Sequence, residues 1–275
     1  MPVTVANGIR LFYEIAGSGP PLLVLGGTGW DLRNRPNLLD SVLVEHFTVL
    51  LPDQRGSGRS GFEDRATRMI DYADDAFALL QAVGWDRAHI LGYSFGGMVA
   101  QHLAAHYPDA VAGLVLAAAT AGGAGGNSFP LHELDHLSPR AYAERLWVLQ
   151  DTRRSLADLA APDAATIARL KFTQSEREAL ARDPVAAAGR RRQMEARASH
   201  DAWALLPHIS SRTLVAAGEF DGQAPLKFVR RLAERIPRSR LVVYPGGHLF
   251  LREANSFLLD ASEFLLAEEL AQIDR

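Results

Sequence analysis

Short apolar runs recur along this chain, each followed by a longer stretch with helical spacing, and that alternation restricts the possible folds more than any other feature. Ile9-Arg10-Leu11-Phe12-Tyr13-Glu14-Ile15 alternates near period two and ends at Gly17-Ser18-Gly19-Pro20, the pattern of a strand entering a turn. Residues 22–25, 47–51, 89–91, 114–116, 214–217 and 241–244 are predominantly apolar and short. A strand with one wet face would show polar residues at every second position, so these runs belong to a parallel sheet covered on both sides. Residues 72–83, 98–106, 226–235 and 257–270 carry the helical spacing needed to cover it. The reading is an α/β chain with a mostly parallel sheet and helices on both faces.

The middle of the chain breaks this rhythm. Residues 122–206 offer helix-favouring segments at 139–150, 164–172 and 184–203 but no convincing strand. Entered through Gly122-Gly123-Ala124-Gly125-Gly126, the segment reads as an inserted helical cap over a core made of residues 1–121 and 207–275. Within it, Arg190-Arg191-Arg192 is expected to be a solvated helix face. Trp147 and Phe172 are candidates for an apolar acyl pocket, although core packing is the more ordinary use of each. Residues 110–129 carry no charge and imitate a membrane span, but Gly113, Gly122, Gly123, Gly125, Gly126, Thr120 and Asn127 argue for a buried strand running into a flexible loop. No membrane insertion is expected, and Met1 to Gly8 lacks the cationic and apolar regions of a leader.

Charge and cysteine content remove whole classes of function. Lys and Arg number 29 against 32 Asp and Glu, a net charge of −3, which argues against nucleic-acid binding and leaves a small molecule as the expected partner. The absence of cysteine excludes disulfides, cysteine-ligated metals and thiol catalysis, and suits a reducing cytoplasm.

The sharpest local signal is Gly92-Tyr93-Ser94-Phe95-Gly96-Gly97, placed between the run at 89–91 and a helical stretch. G-x-S-x-G at a strand-to-helix turn is a nucleophile elbow: the glycines leave room for a strained serine, and the Phe95 N–H at the helix start faces an incoming oxyanion. A serine hydroxyl needs a base, and the base an orienting acid, in the chain order Ser, Asp/Glu, His. After the run at 214–217 comes Gly218-Glu219-Phe220-Asp221, and after 241–244 comes Pro245-Gly246-Gly247-His248. Asp221 is the expected acid, with Glu219 as its competitor, and His248 the expected base. The loop Gly26-Gly27-Thr28-Gly29-Trp30 supplies a second oxyanion donor, the Thr28 N–H or, failing that, the Gly27 N–H.

Two other patterns compete. Gly56-Ser57-Gly58-Arg59-Ser60-Gly61 matches the G-x-G-x-x-G of a dinucleotide site, but Pro52-Asp53-Gln54-Arg55 separates it from its strand and polar Glu63-Asp64-Arg65 follows. His102 and His106 are spaced like a metal pair on a helix, but without H-E-x-x-H or a third ligand they read as ordinary helix-face histidines. No cofactor or metal is expected.

Taken together these residues resemble the α/β-hydrolase family over essentially the whole chain. Asp53-Gln54-Arg55-Gly56-Ser57-Gly58-Arg59-Ser60 is similar to that family's D-x-R-G-x-G-x-S turn, so the glycine pattern is structural. The resemblance implies an eight-stranded sheet and places Ser94, Asp221 and His248 on the three catalytic positions. Residues 114–122 and Gly247-His248-Leu249-Phe250-Leu251 look most like intracellular poly(3-hydroxyalkanoate) depolymerase-type members. One departure is Gly26, where many relatives carry histidine before the glycine of the oxyanion loop. The implied activity is hydrolysis of an ester or lactone. The same triad also serves C–C bond or amide hydrolysis and cofactor-free perhydrolysis, and the fold can serve as a non-catalytic small-molecule receptor.

Overall fold

The computed structural model describes residues 2–253 and 256–273, with side chains described as far as residue 267. In chain order the elements are β1 (Val3–Ala6), β2 (Ile9–Ala16), β3 (Pro21–Leu25), α1 (Leu43–His46), β4 (Thr48–Pro52), α2 (Met69–Ala82), β5 (Ala88–Tyr93), α3 (Phe95–His106) and β6 (Val111–Ala117). There follow α4 (Pro139–Gln150), α5 (Ala164–Arg182), α6 (Pro184–Ala198), β7 (Thr213–Gly218), α7 (Leu226–Arg235), β8 (Ser239–Tyr244), α8 (Phe250–Glu253) and α9 (Phe257–Ile273), with short 3-10 turns between.

The strands form one eight-stranded sheet in the order β1-β2-β4-β3-β5-β6-β7-β8. β1 and β2 join antiparallel, and every pairing from β4 to β8 is parallel. The apolar runs are continuous because both faces are buried. Leu23 and Leu25 of β3 join the core beneath α2, α3 and α7, while Leu22 and Val24 join the core beneath α1 and α9. β6 divides the same way, with Leu114 and Leu116 on the first side and Val115 and Ala117 on the second.

The runs of apolar residues gave seven strands; the eighth, β1, escaped them because Val3 and Val5 are exposed and the strand is an edge. Its signal was Asn7-Gly8, both at positive φ (51° and 73°), the two-residue turn that pairs Ala6 with Ile9.

Between β6 and β7 the chain carries α4, α5 and α6 and no strand of the sheet. Each helix starts at a side-chain cap, from Ser138, Asp163 and Asp183 respectively. α5 runs on past Phe172 to Arg182, since alanine, leucine, glutamate and arginine sustain a helix without any buried residue to mark its periodicity. α6 ends at Ala198 rather than continuing to 203, because the following backbone is drawn into pairing: Asp201 bridges Gly122, and the Ala202 N–H donates to the Ala121 carbonyl at 2.8 Å. The segment thus leaves and rejoins the core at adjacent points. No helix among the described residues is long and apolar enough to cross a membrane; the uncharged stretch 110–129 is β6 and the loop after it.

Candidate active site

The elbow follows β5 directly. Ser94 adopts φ 55°, ψ −115°, a conformation a side chain tolerates only when its surroundings over-determine it. A Cβ at Gly96 would lie 2.0 Å from the Leu25 carbonyl oxygen, and one at Gly92 would lie 2.4 Å from that of Gly96, so the motif's glycines let α3 fold back against β3 and β5. Because Leu25 and Gly92 are register partners, the loop after β3 emerges beside the elbow. Gly218 and Tyr244 are likewise partners at the ends of β7 and β8, which delivers the Asp221 and His248 loops side by side.

These loops bring the three predicted residues into one hydrogen-bonded chain. His248 Nδ1 lies 2.7 Å from Asp221 Oδ2, and His248 Nε2 lies 3.0 Å from Ser94 Oγ. All three side chains are buried. The other carboxylate oxygen of Asp221 accepts the N–H groups of Gln223 and Ala224 at 2.7 and 2.8 Å, which fixes the carboxylate plane. With Nδ1–H donating to Asp221, Nε2 is left as an acceptor for the Ser94 proton. Glu219, the competing acid, is exposed and takes no part.

The histidine loop is held from two sides. The Tyr93 hydroxyl donates to the His248 carbonyl at 2.6 Å, and the His248 N–H donates to the Gln150 carbonyl at 2.5 Å. Burial, then the nearby Asp221 charge, pushes the Tyr93 hydroxyl pKa far up, so it remains a donor. Thr152 N–H donates to the Phe220 carbonyl at 2.8 Å, so the end of α4 touches both loops.

Phe95 opens α3, and its N–H therefore has no carbonyl a turn earlier within the helix to bond. Thr28 lines the same cavity as Ser94 and His248, and a Cβ at Gly27 would lie 3.7 Å from that of Ser94. Where many relatives have histidine, a Cβ on Gly26 would meet the Trp30 ring at 2.5 Å. Trp30 fills that space, and Gln54 Nε2 donates to the Gly26 carbonyl at 2.9 Å, so the loop has other anchors.

The competing motifs take structural roles. In the turn after β4 the Asp53 carboxylate accepts the N–H groups of Leu32 and Arg59 at 2.8 and 3.0 Å. A Cβ at Gly58 would lie 2.2 Å from that carboxylate, and residues 55–68 open no helix to receive a pyrophosphate. Among the described residues no group of three or more His, Asp or Glu is placed to hold a metal ion.

His106 lies on the exposed face of α3 and His102 on its buried face. His102 is buried beside His200, with ring centroids 5.4 Å apart, and neither of its ring nitrogens has a hydrogen-bond partner among the described residues. Burial, then the charge of His106, lowers His102 to about 4, and burial, then the charge of His102, lowers His200 to about 3. Asp201 pulls His102 the other way, the Thr120 carbonyl does so for His200, and Arg197 adds to the lowering of His200. The native state holds both neutral, whereas an unfolded chain protonates them below about pH 6.5. Stability contributed by these groups is therefore complete above that pH and is lost as pH falls toward 4 and then 3, by a few kcal/mol in total. His102→Leu removes no hydrogen bond, and its urea midpoint is expected to fall less than that of the wild type between pH 7 and pH 4.5. Equal falls would show that His102 does not carry this linkage.

A cavity of about 560 Å³ opens over Ser94 and His248, walled on the far side by α4, α5 and α6. Phe172 lines it while half exposed, so it is not a core residue; Trp147 is buried elsewhere. The arginine run on α6 also departs from a solvated face. Arg191 is exposed and Arg192 pairs with Asp64 and Glu195, but Arg190 lines the cavity. Its Nη2 donates to the Tyr142 hydroxyl at 2.9 Å, and its Nη1 lies 3.4 Å from where a Cβ on Gly29 would stand. Of the other arginines lining the cavity, Arg33, Arg169 and Arg177 pair with Asp31, Glu253 and Asp135, and Arg252 is exposed. No carboxylate lies within ion-pair distance of Arg190 among the described residues. Position in a polar run hid it, since three adjacent arginines on a helix cannot all face one way.

Residues 20–254 match the sequence model of the alpha/beta hydrolase fold. A 2-hydroxymuconate semialdehyde hydrolase of Pseudomonas sp. is 31% identical over 285 residues, covering 98% of this chain and 95% of that protein. The enol-lactonase of Burkholderia xenovorans LB400 superposes with a TM-score of 0.78 at 22% identity, over 96% of this chain and 99% of that one. A thermophilic esterase of Thermogutta terrifontis superposes with a TM-score of 0.75 at 25% identity, over 97% and 98%.

Proposed function

The chain belongs to the α/β-hydrolase fold family, and from that premise we propose that it is a serine hydrolase of carboxylic esters or lactones. The observation that carries the reading is the Asp221–His248–Ser94 chain at 2.7 and 3.0 Å. Ser94 Oγ attacks the carbonyl carbon as His248 Nε2 takes its proton, and Asp221 stabilises the imidazolium. The Phe95 and Thr28 N–H groups face the resulting oxyanion. Collapse breaks the bond to the leaving oxygen, which takes the proton from His248. Water, deprotonated by the same nitrogen, then releases the acid from Ser94. Residues 122–206 act as a cap over the cavity, which favours an acyl group held between α4, α5, α6 and the loops of the sheet.

Arg190 adds a preference. Arg190 makes no ion pair among the described residues, although its charge reaches the Glu176 carboxyl in the same cavity, so a substrate carboxylate can take it up in a charge-assisted hydrogen bond. Mono-p-nitrophenyl succinate and p-nitrophenyl butyrate have equal acyl lengths and differ in that charge. Arg190→Met is expected to lower kcat/KM for the succinate about 30-fold and for the butyrate less than threefold. Equal losses on both esters would remove the carboxylate preference. A polyester-depolymerase-like activity is one ester class within this reading.

A second reading, C–C bond hydrolysis of a carboxylated ketone, is favoured by the relative named as a semialdehyde hydrolase and by the same arginine. Fluorophosphonate labelling and turnover of p-nitrophenyl esters test the serine-hydrolase reading directly. Labelling with turnover of vinylogous 1,5-diketones in place of esters would select the second reading, and ligand binding without labelling would leave a receptor.

A further inference from the structure

α6 is fastened to the core more tightly than a movable cover requires, and it is fastened at the oxyanion loop. A Cβ at Gly189 would lie 2.3 Å from the Gly56 carbonyl oxygen, so helix and turn meet backbone to backbone. One helical turn further on, Gln193 is completely buried. Its Oε1 accepts the Gly29 N–H at 2.9 Å, and its Nε2 donates to the Arg55 carbonyl at 3.2 Å. Both ends of the carboxamide are thereby used, and its orientation is fixed.

The contact falls on the turn that carries Thr28. Trp30 N–H donates to the Gly27 carbonyl at 3.1 Å, closing a turn whose corners are Thr28 and Gly29, the latter at φ 69°. The Gly29 N–H is the central amide of that turn. Gln193 holds that N–H from a rigid helix that is itself pinned at Gly56. The position of the turn beside Ser94, and with it that of the Thr28 N–H, is thereby tied to a residue of the inserted segment.

We infer that Gln193 is a positioning residue for the oxyanion hole, reaching from α6 to hold the 27–30 turn in the orientation that presents the Thr28 N–H. The inference rests on the serine-hydrolase reading. Gln193→Met preserves volume and loses both hydrogen bonds. Its kcat on p-nitrophenyl butyrate is expected to fall 10- to 100-fold with KM within twofold, because the oxyanion exists only on the way to the tetrahedral intermediate. Affinity for butylboronic acid, which forms a tetrahedral adduct on serine, should weaken by the same factor. Gln193→Glu retains an oxygen for the Gly29 N–H in either protonation state, so its kcat should fall less than threefold, which also serves if the methionine variant does not fold. A loss confined to KM, unchanged boronate affinity, or an equal loss of kcat in the glutamate variant would overturn the inference. If the wild type itself shows neither labelling nor turnover, the serine-hydrolase reading fails first and this inference falls with it.

Discussion

Replacing Ser94 by alanine is expected to lower kcat on p-nitrophenyl esters roughly a millionfold and to abolish fluorophosphonate labelling. The size follows from what is lost: the acyl-enzyme can no longer form, and what remains is polarisation of the bound carbonyl by two backbone donors. The fold should survive, because the Ser94 side chain makes one hydrogen bond to His248 and the backbone is held by the Ser94 N–H to the Ala117 carbonyl at 2.8 Å. Steady-state kinetics beside a thermal melt checks both halves. Residual turnover within a hundredfold of the wild type, at an unchanged melting temperature, would move the nucleophile elsewhere.

Asp221→Asn should cost about 10⁴ in kcat while leaving the melting temperature nearly unchanged. The asparagine oxygen can still accept from Gln223 and Ala224, and that requirement turns its amide N–H₂ toward His248 Nδ1. Donation from the amide forces the proton of His248 onto Nε2, the nitrogen that faces Ser94. The base is then in the wrong tautomer although every heavy atom stays in place. Glu219→Gln provides the contrast. That side chain is exposed, and its replacement is expected to change kcat less than twofold. Should the two variants exchange behaviour, the orienting acid is Glu219.

Much of this site is legible in the sequence because close packing leaves marks in the letters. Gly92 and Gly96 stand where any Cβ would collide with backbone, and that collision is what reveals Ser94. Asp221 and His248 stand one loop beyond apolar runs, and strand ends are where a parallel sheet collects its functional loops. Arg190 and Gln193 left no such mark. They sit three residues apart in a polar run, and only the docking of α6 on the Gly56 turn decides that this face looks inward. β1 leaves no such mark for a related reason, since an edge strand with exposed valines lacks the buried alternation of its neighbours.

The sequence by itself determined the parallel sheet, the strained serine and the order of its partners, because these follow from burial on two faces and from backbone crowding within a few residues. The anchoring of the 27–30 turn by Gln193 and the placing of Arg190 in the cavity wall were decided only by tertiary structure. Each depends on which atoms of distant segments meet, and hydrogen bonds across sequence separations above a hundred residues, such as Gln193 to Gly29, leave no periodicity along the chain.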